Sequence, residues 1–163
     1  MKHKENVEEN LRKKLSDRIH AIRENRKNPA QLNNLLIEWE KDFGSKYNEL
    51  AKKIIAEQTH KAWAELATSR NASSIDDLVH FLWENWTEGD FTIEKTEEGI
   101  QIYCTKCPIA TTYQSIGKQE YGLLFHCSED PHIVAGFNPD IKFRRTKTLM
   151  NGDECCDHHY STN

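Results

Sequence analysis

Apolar residues first recur at three- and four-residue intervals, as Val7, Leu11, Leu15, Ile19 and Ile22, among Lys, Arg, Glu and Asn. That spacing predicts an amphipathic helix ending near Arg26. Asn28-Pro29 then reads as an N-cap followed by proline at the first helical position. Leu32, Leu35, Leu36, Trp39 and Phe43 form the stripe of the next helix, which Gly44-Ser45 kinks or breaks. Tyr47, Leu50, Ile54, Ile55, Ala62, Trp63 and Leu66 keep helical spacing to about Thr68. Ser73 and Ser74 precede Asp76 and Asp77 by three, a capping-box-like start for a helix whose apolar face is Leu78, Val79, Leu82, Trp83 and Trp86.

The period changes after Gly89-Asp90. FTIEK and IQIYC alternate apolar and polar residues on either side of the turn-forming TEEG, which predicts a β-hairpin. From Cys107-Pro108 to Asn138-Pro139 the pattern is mixed. GKQEYGLLFHC fits a short helix ending at the cysteine, and SEDPHIVAGF a turn followed by one or two helical turns. IKFRRTKTLM alternates again, and Asn151-Gly152 turns the chain into ECCDHHY, giving a second hairpin. Helices followed by hairpins predict an α+β fold, a helical N-terminal half packed on a small antiparallel sheet built from C-terminal hairpins. Residues 1–163 are expected to form a single domain, with a helical part over 1–88 and a strand-rich, cysteine-bearing part over 89–160.

Charge and composition narrow the function. Twenty-two Lys and Arg against twenty-six Asp and Glu give a net charge of −4, without the basic excess of a nucleic-acid-binding chain. With 37% hydrophobic residues and four Trp, the chain can build a core. No apolar run approaches the roughly 18–20 residues of a membrane helix, and the N-terminus lacks a signal-peptide core, so a cytoplasmic protein is expected. The long amphipathic stripes would be covered well by a homodimer.

All five cysteines, Cys104, Cys107, Cys127, Cys155 and Cys156, lie beyond residue 100. In reducing cytosol they are free thiols, which leaves metal ligation, nucleophilic chemistry or inert burial. A metal, zinc or iron, would draw on Cys104, Cys107, Cys127, Cys156 and His159, although the spacing does not repeat the paired knuckles of a zinc ribbon. No cofactor follows from the sequence. Adjacent strand residues face opposite ways, so only one of Cys155 and Cys156 can serve a given site. A nucleophilic thiolate needs a base or cation nearby: His126, His132, His158 and His159 are candidate bases, and Asp130 and Asp157 can orient one of them. Arg144, Arg145 and Lys147 can hold a carboxylate. Trp83 and Trp86 read as core in preference to a stacking platform.

Over its last sixty or so residues the chain resembles the L-2-amino-thiazoline-4-carboxylic acid hydrolase family. The resemblance rests on Cys107-Pro108, Cys127 with Asp130 three residues on, Asn138-Pro139, an Arg145-Thr146-Lys147-Thr148-Leu149 strand, and Gly152-Asp153 leading to Cys156-Asp157. Where the family pattern tends to an aromatic after Cys-Asp, this chain has His158-His159-Tyr160, and Cys155 is an extra thiol. The resemblance implies helices packed on an antiparallel sheet and hydrolytic opening of a thiazoline or related cyclic amidine amino acid to an N-carbamoyl-L-cysteine type product. It implies a small-molecule substrate, with Cys107 or Cys127 as nucleophile and Asp130 and His159 as acid/base groups. Arg145 would then hold the carboxylate, Asn138 and Thr148 would donate hydrogen bonds, and Cys156 and Asp157 would face the substrate. The competing expectation is a noncatalytic module that holds metal or a small ligand with the same Cys and His residues. A helical partner-binding role would rest only on the charge of residues 1–60.

Overall fold

The computed structural model describes residues 2–162. Asn28 turns the chain from α1 (Lys2–Glu24) into α2 (Pro29–Asp42): its side-chain oxygen accepts the Gln31 N–H at 3.2 Å, and Pro29 opens the helix. Leu15, Ile19 and Ile22 of α1 are buried against Leu32, Leu36 and Trp39 of α2, whereas Val7 at the outer end of the stripe is 60% exposed. Gly44 ends α2. Its φ of 66° is one that side-chain-bearing residues avoid, and the Trp39 carbonyl accepts both the Phe43 and Gly44 N–H groups. A single 3₁₀ turn at Ser45–Tyr47 leads into α3 (Asn48–Arg70). Ser74 and Asp77 then make a reciprocal capping box at the start of α4 (Ile75–Val79). This helix runs on into a π-helical turn, His80–Glu84, that carries Trp83.

The predicted hairpin is β1 (Asp90–Lys95) and β2 (Gly99–Lys106). Three short helices follow: α5 (Pro108–Ser115), α6 (Gln119–Phe125) and α7 (Asp130–Phe137). Of these, α5 has no counterpart among the sequence expectations. The sheet is completed by β3 (Lys142–Arg144) and β4 (Cys156–Ser161) in the order β1-β2-β4-β3, every neighbour antiparallel. The fold is therefore α+β, with helices and an antiparallel sheet in the predicted order. The expected strand through residues 145–149 is a correction. The N–H groups that would extend β3 are taken by carboxylates instead: Asp157 accepts from Thr146 and Lys147, and Asp153 from Thr148. Backbone donors satisfied by side chains are lost to a ladder, so this segment leaves the sheet. Among the described residues no helix is long and apolar enough to cross a membrane.

Two apolar clusters result. One joins α1, α2 and α3 to α5 and α6 around Trp39, Tyr113 and Phe125, all buried. The other joins one face of the sheet to α4 and α7 around Ile102, Tyr160, Leu78 and Val134. Cys107 and Leu149 pack against both clusters, so these two residues mark the seam between them.

Close packing of α7 on α3 depends on Gly136, where a Cβ would lie 2.4 Å from the His60 carbonyl oxygen. Backbone cannot yield as a flexible side chain does. Gly136→Ala is expected to destabilise the protein by about 1–3 kcal/mol and to lower Tm by several degrees, read by calorimetry.

Candidate active site

Strand parity decides which side chains face the helices. Cys156, His158 and Tyr160 of β4 stand opposite Cys104, Ile102 and Ile100 of β2, and these share the inner face. Cys155, Asp157 and His159 therefore point away from it. Above the inner face, at the seam, lies a cavity of about 230 Å³. Its walls include Leu82, Trp83, Trp86 and Ile133, and its reactive groups are Cys104, Cys107, Cys127, Asp130, Arg145, Thr148, Cys156 and His158. His126 and Glu129 also border it.

Cys156 has the most activating surroundings of the five thiols. The Leu149 N–H donates to its sulfur at 3.2 Å, and Thr148 Oγ1 lies 3.6 Å away. Thr148 Oγ1 also accepts the Met150 N–H at 3.2 Å. The Cys104 thiol opposite it is the largest influence and, with His158, the Leu149 N–H and Thr148, it outweighs burial and holds the Cys156 thiol below the ordinary thiol range. Cys104 gives its S–H to the Lys106 carbonyl at 3.3 Å, and the Cys156 sulfur across the strands together with burial pushes its own pKa far up.

The other thiols are pushed toward the neutral form. Burial raises Cys107 although it sits at the start of α5, where the Ala110 and Ile109 N–H groups oppose the rise. Burial, reinforced by the Asp130 charge, pushes Cys127 up to about 12. Cys155 is raised as well, by burial and then Glu154, and it is not among the cavity residues.

Asp130 opens α7 and pairs with Arg145, both side chains about one-fifth exposed. Arg145 Nη1 also donates to the Cys127 carbonyl at 3.3 Å, so both of these bonds use the same nitrogen. His158 Nε2 stands 3.9 Å from Asp130 Oδ2. Burial lifts the Asp130 carboxyl to about 6 against the opposing pull of His158 and Arg145. A carboxyl that keeps its proton to higher pH when folded opposes folding once ionised. That cost is absent below about pH 4, grows as pH rises, and is complete above about pH 6. Catalysis is expected to fall as pH drops through about 6, and Asp130→Asn to show low activity without that acid limb in a kcat/KM profile.

The remaining residues singled out from sequence have other surroundings. Asn138 donates to the Ser73 carbonyl at 2.8 Å and accepts the Asp140 N–H at 2.9 Å, tying the end of α7 to the start of α4. Asp157 clamps the Thr146-Lys147 segment, which carries Arg145 and Thr148 into position. His159 lies on the outer face of β4, opposite Gln101 and Arg144, so it does not converge with Cys104, Cys107, Cys127 and Cys156. Among the described residues no group of three or more His, Cys, Asp or Glu is arranged to hold a metal ion. His126 is held neutral, at about 3, by burial and then by Arg23, and its Nε2 is 3.1 Å from the Tyr113 hydroxyl.

Sequence reasoning did not single out His158 above its neighbours, yet period two required that a cavity-facing Cys156 be accompanied by His158 and not His159. It missed Glu129, which ion-pairs with Arg23 of α1 and accepts from Thr59 of α3 at 3.2 Å. No local pattern signals that long-range contact. Trp83 is both core, 6% exposed, and cavity wall.

Thiols, a histidine, a carboxylate and an arginine thus line one largely apolar cavity, the kind of concave, sparsely polar surface that small molecules occupy. The model of the L-2-amino-thiazoline-4-carboxylic acid hydrolase family matches residues 23–160, and the chain belongs to that family. The family name implies a hydrolase. No curated protein and no solved structure matches the chain.

Proposed function

We propose that this protein opens the ring of L-2-amino-thiazoline-4-carboxylate or a closely related cyclic amidine amino acid, with Cys156 as nucleophile. The observation that carries the reading is the Cys156 sulfur, which lines the cavity with His158 and accepts the Leu149 N–H at 3.2 Å.

The sulfur attacks the ring carbon that bears the exocyclic amino group, with the amidine in its protonated form. The bond from that carbon to the ring sulfur breaks, and the ring sulfur departs as an alkyl thiolate beside His158. Carbon, now an isothiouronium on Cys156, is attacked by water. Asp130, ionised above about pH 6, takes one proton from the water as Cys156 leaves. The second proton of that water, left on the protonated urea when Cys156 departs, passes to the alkyl thiolate, and the product is an N-carbamoyl-L-cysteine type urea. Arg145, a cavity residue, takes the substrate carboxylate with guanidinium N–H groups other than the Nη1 held by Asp130 and Cys127. Trp83, Trp86 and Ile133 exclude bulk water from the adduct.

The test is limited alkylation with iodoacetamide at pH 7, followed by peptide mapping. Cys156 is expected to react first among the five cysteines and to be protected by the thiazoline carboxylate. Faster modification of Cys107 or Cys127, or no protection, would contradict the assignment.

A further inference from the structure

We infer that Tyr160 is a positioning residue that keeps the His158 proton on Nε2, the nitrogen on the cavity side. The inference rests on the catalytic reading of Cys156 and His158, but its geometry stands apart from the identity of the substrate.

Trp83 is a donor only, and its Nε1–H gives a buried hydrogen bond to the Tyr160 hydroxyl oxygen at 2.9 Å. Tyr160 is fully buried, so water does not compete for its own hydrogen. Among the described residues, the acceptor left for that hydrogen is His158 Nδ1, 3.4 Å away. An Nδ1 that accepts cannot also carry the proton of a neutral imidazole, so the proton sits on Nε2. That nitrogen faces Asp130 Oδ2 at 3.9 Å, and the ring borders the cavity next to Cys156.

The ring is also fixed in place. Trp83 meets it edge-on at 4.9 Å between centroids, and Phe143 tilts against it at 5.5 Å. Rotation that would exchange the two nitrogens must displace both aromatic neighbours. A chain of groups therefore runs from Trp83 through Tyr160 and His158 to the reacting sulfur. With the other tautomer, a nitrogen lone pair would face the Cys156 thiolate and the Asp130 carboxylate, and the departing ring sulfur would lose its hydrogen-bond donor.

The test is ¹⁵N NMR of histidine-labelled protein, with the His158 signals assigned by their loss in His158→Gln. In the unsubstituted protein Nε2 is expected to show the protonated, pyrrole-type shift and Nδ1 the pyridine-type shift. A proton on Nδ1, or on both nitrogens across the active pH range, would overturn the inference even if thiazoline hydrolysis were confirmed. In Tyr160→Phe the Nδ1-protonated form is expected to appear, with kcat lower by about tenfold and KM unchanged. An unchanged spectrum and kcat would equally overturn it. Should Tyr160→Phe fail to fold, the spectrum of the unsubstituted protein decides alone. A protein that shows the Nε2 tautomer but does not open thiazolines would leave Tyr160 as a positioning residue for some other thiol chemistry.

Discussion

Cys156→Ser is expected to lower kcat for thiazoline opening by at least about a thousandfold while leaving the fold intact, because a hydroxyl at that position keeps the acceptor but not the nucleophile. The Leu149 N–H and Thr148 hydroxyl that surround the sulfur can hydrogen-bond the serine oxygen instead, so Tm should change little. Cys107→Ser and Cys127→Ser, whose parent thiols are pushed toward the neutral form by burial, are expected to keep most activity. Steady-state kinetics on the three variants, with calorimetry alongside, separates the roles. Loss of turnover in Cys107→Ser or Cys127→Ser with Cys156→Ser active would transfer the nucleophile to another wall of the same cavity.

Arg145→Met is expected to affect binding and stability together. Removing the guanidinium strips Asp130 of its ion-pair partner and the Cys127 carbonyl of a donor. Each side chain is only about one-fifth exposed, so solvent offers incomplete compensation, and the loss at pH 8 should be about 2–4 kcal/mol. The sign of its pH dependence follows from Asp130. Below about pH 6 the carboxyl is largely neutral in the parent, and without Arg145 it neutralises at still higher pH. The stability difference between parent and variant should therefore shrink as pH falls from 8 to 5, measured by urea unfolding. KM should rise about tenfold or more, because a substrate carboxylate loses its guanidinium partner. Arg145→Lys should restore the Asp130 pair better than it restores KM, since an ammonium cannot present the planar fork.

Local chemistry made much of the fold legible. The Leu15, Ile19 and Ile22 stripe, the Asn28-Pro29 cap, the Ser74-Asp77 box and the β1-β2 hairpin all depend on residues within a few positions of one another. The pairing of β2 with β4 joins residues far apart in sequence, and nothing local specifies it. Residues 145–148 read as a strand from alternation alone. They leave the sheet because Asp153 and Asp157, farther along the chain, capture their backbone donors. At the site, Cys107, Cys127, Asp130, Arg145, Thr148 and Cys156 share one cavity, whereas Asn138, Asp157 and His159 lie outside it. The parity of β4 already carried the choice of His158. The ranking of the thiols did not lie in the sequence, because it depends on the Leu149 N–H, the placing of Cys104 opposite Cys156 and the depth of Cys127, all products of tertiary structure.

Covalent ring opening by Cys156 is tested most directly by mass spectrometry of protein quenched in acid during turnover of L-2-amino-thiazoline-4-carboxylate. An adduct with the full mass of the substrate on the peptide that contains Cys156, formed and lost as N-carbamoyl-L-cysteine accumulates, is the expected result. Product formation with Cys156 unmodified at every time point, and undiminished after Cys156 is replaced by serine, would contradict it.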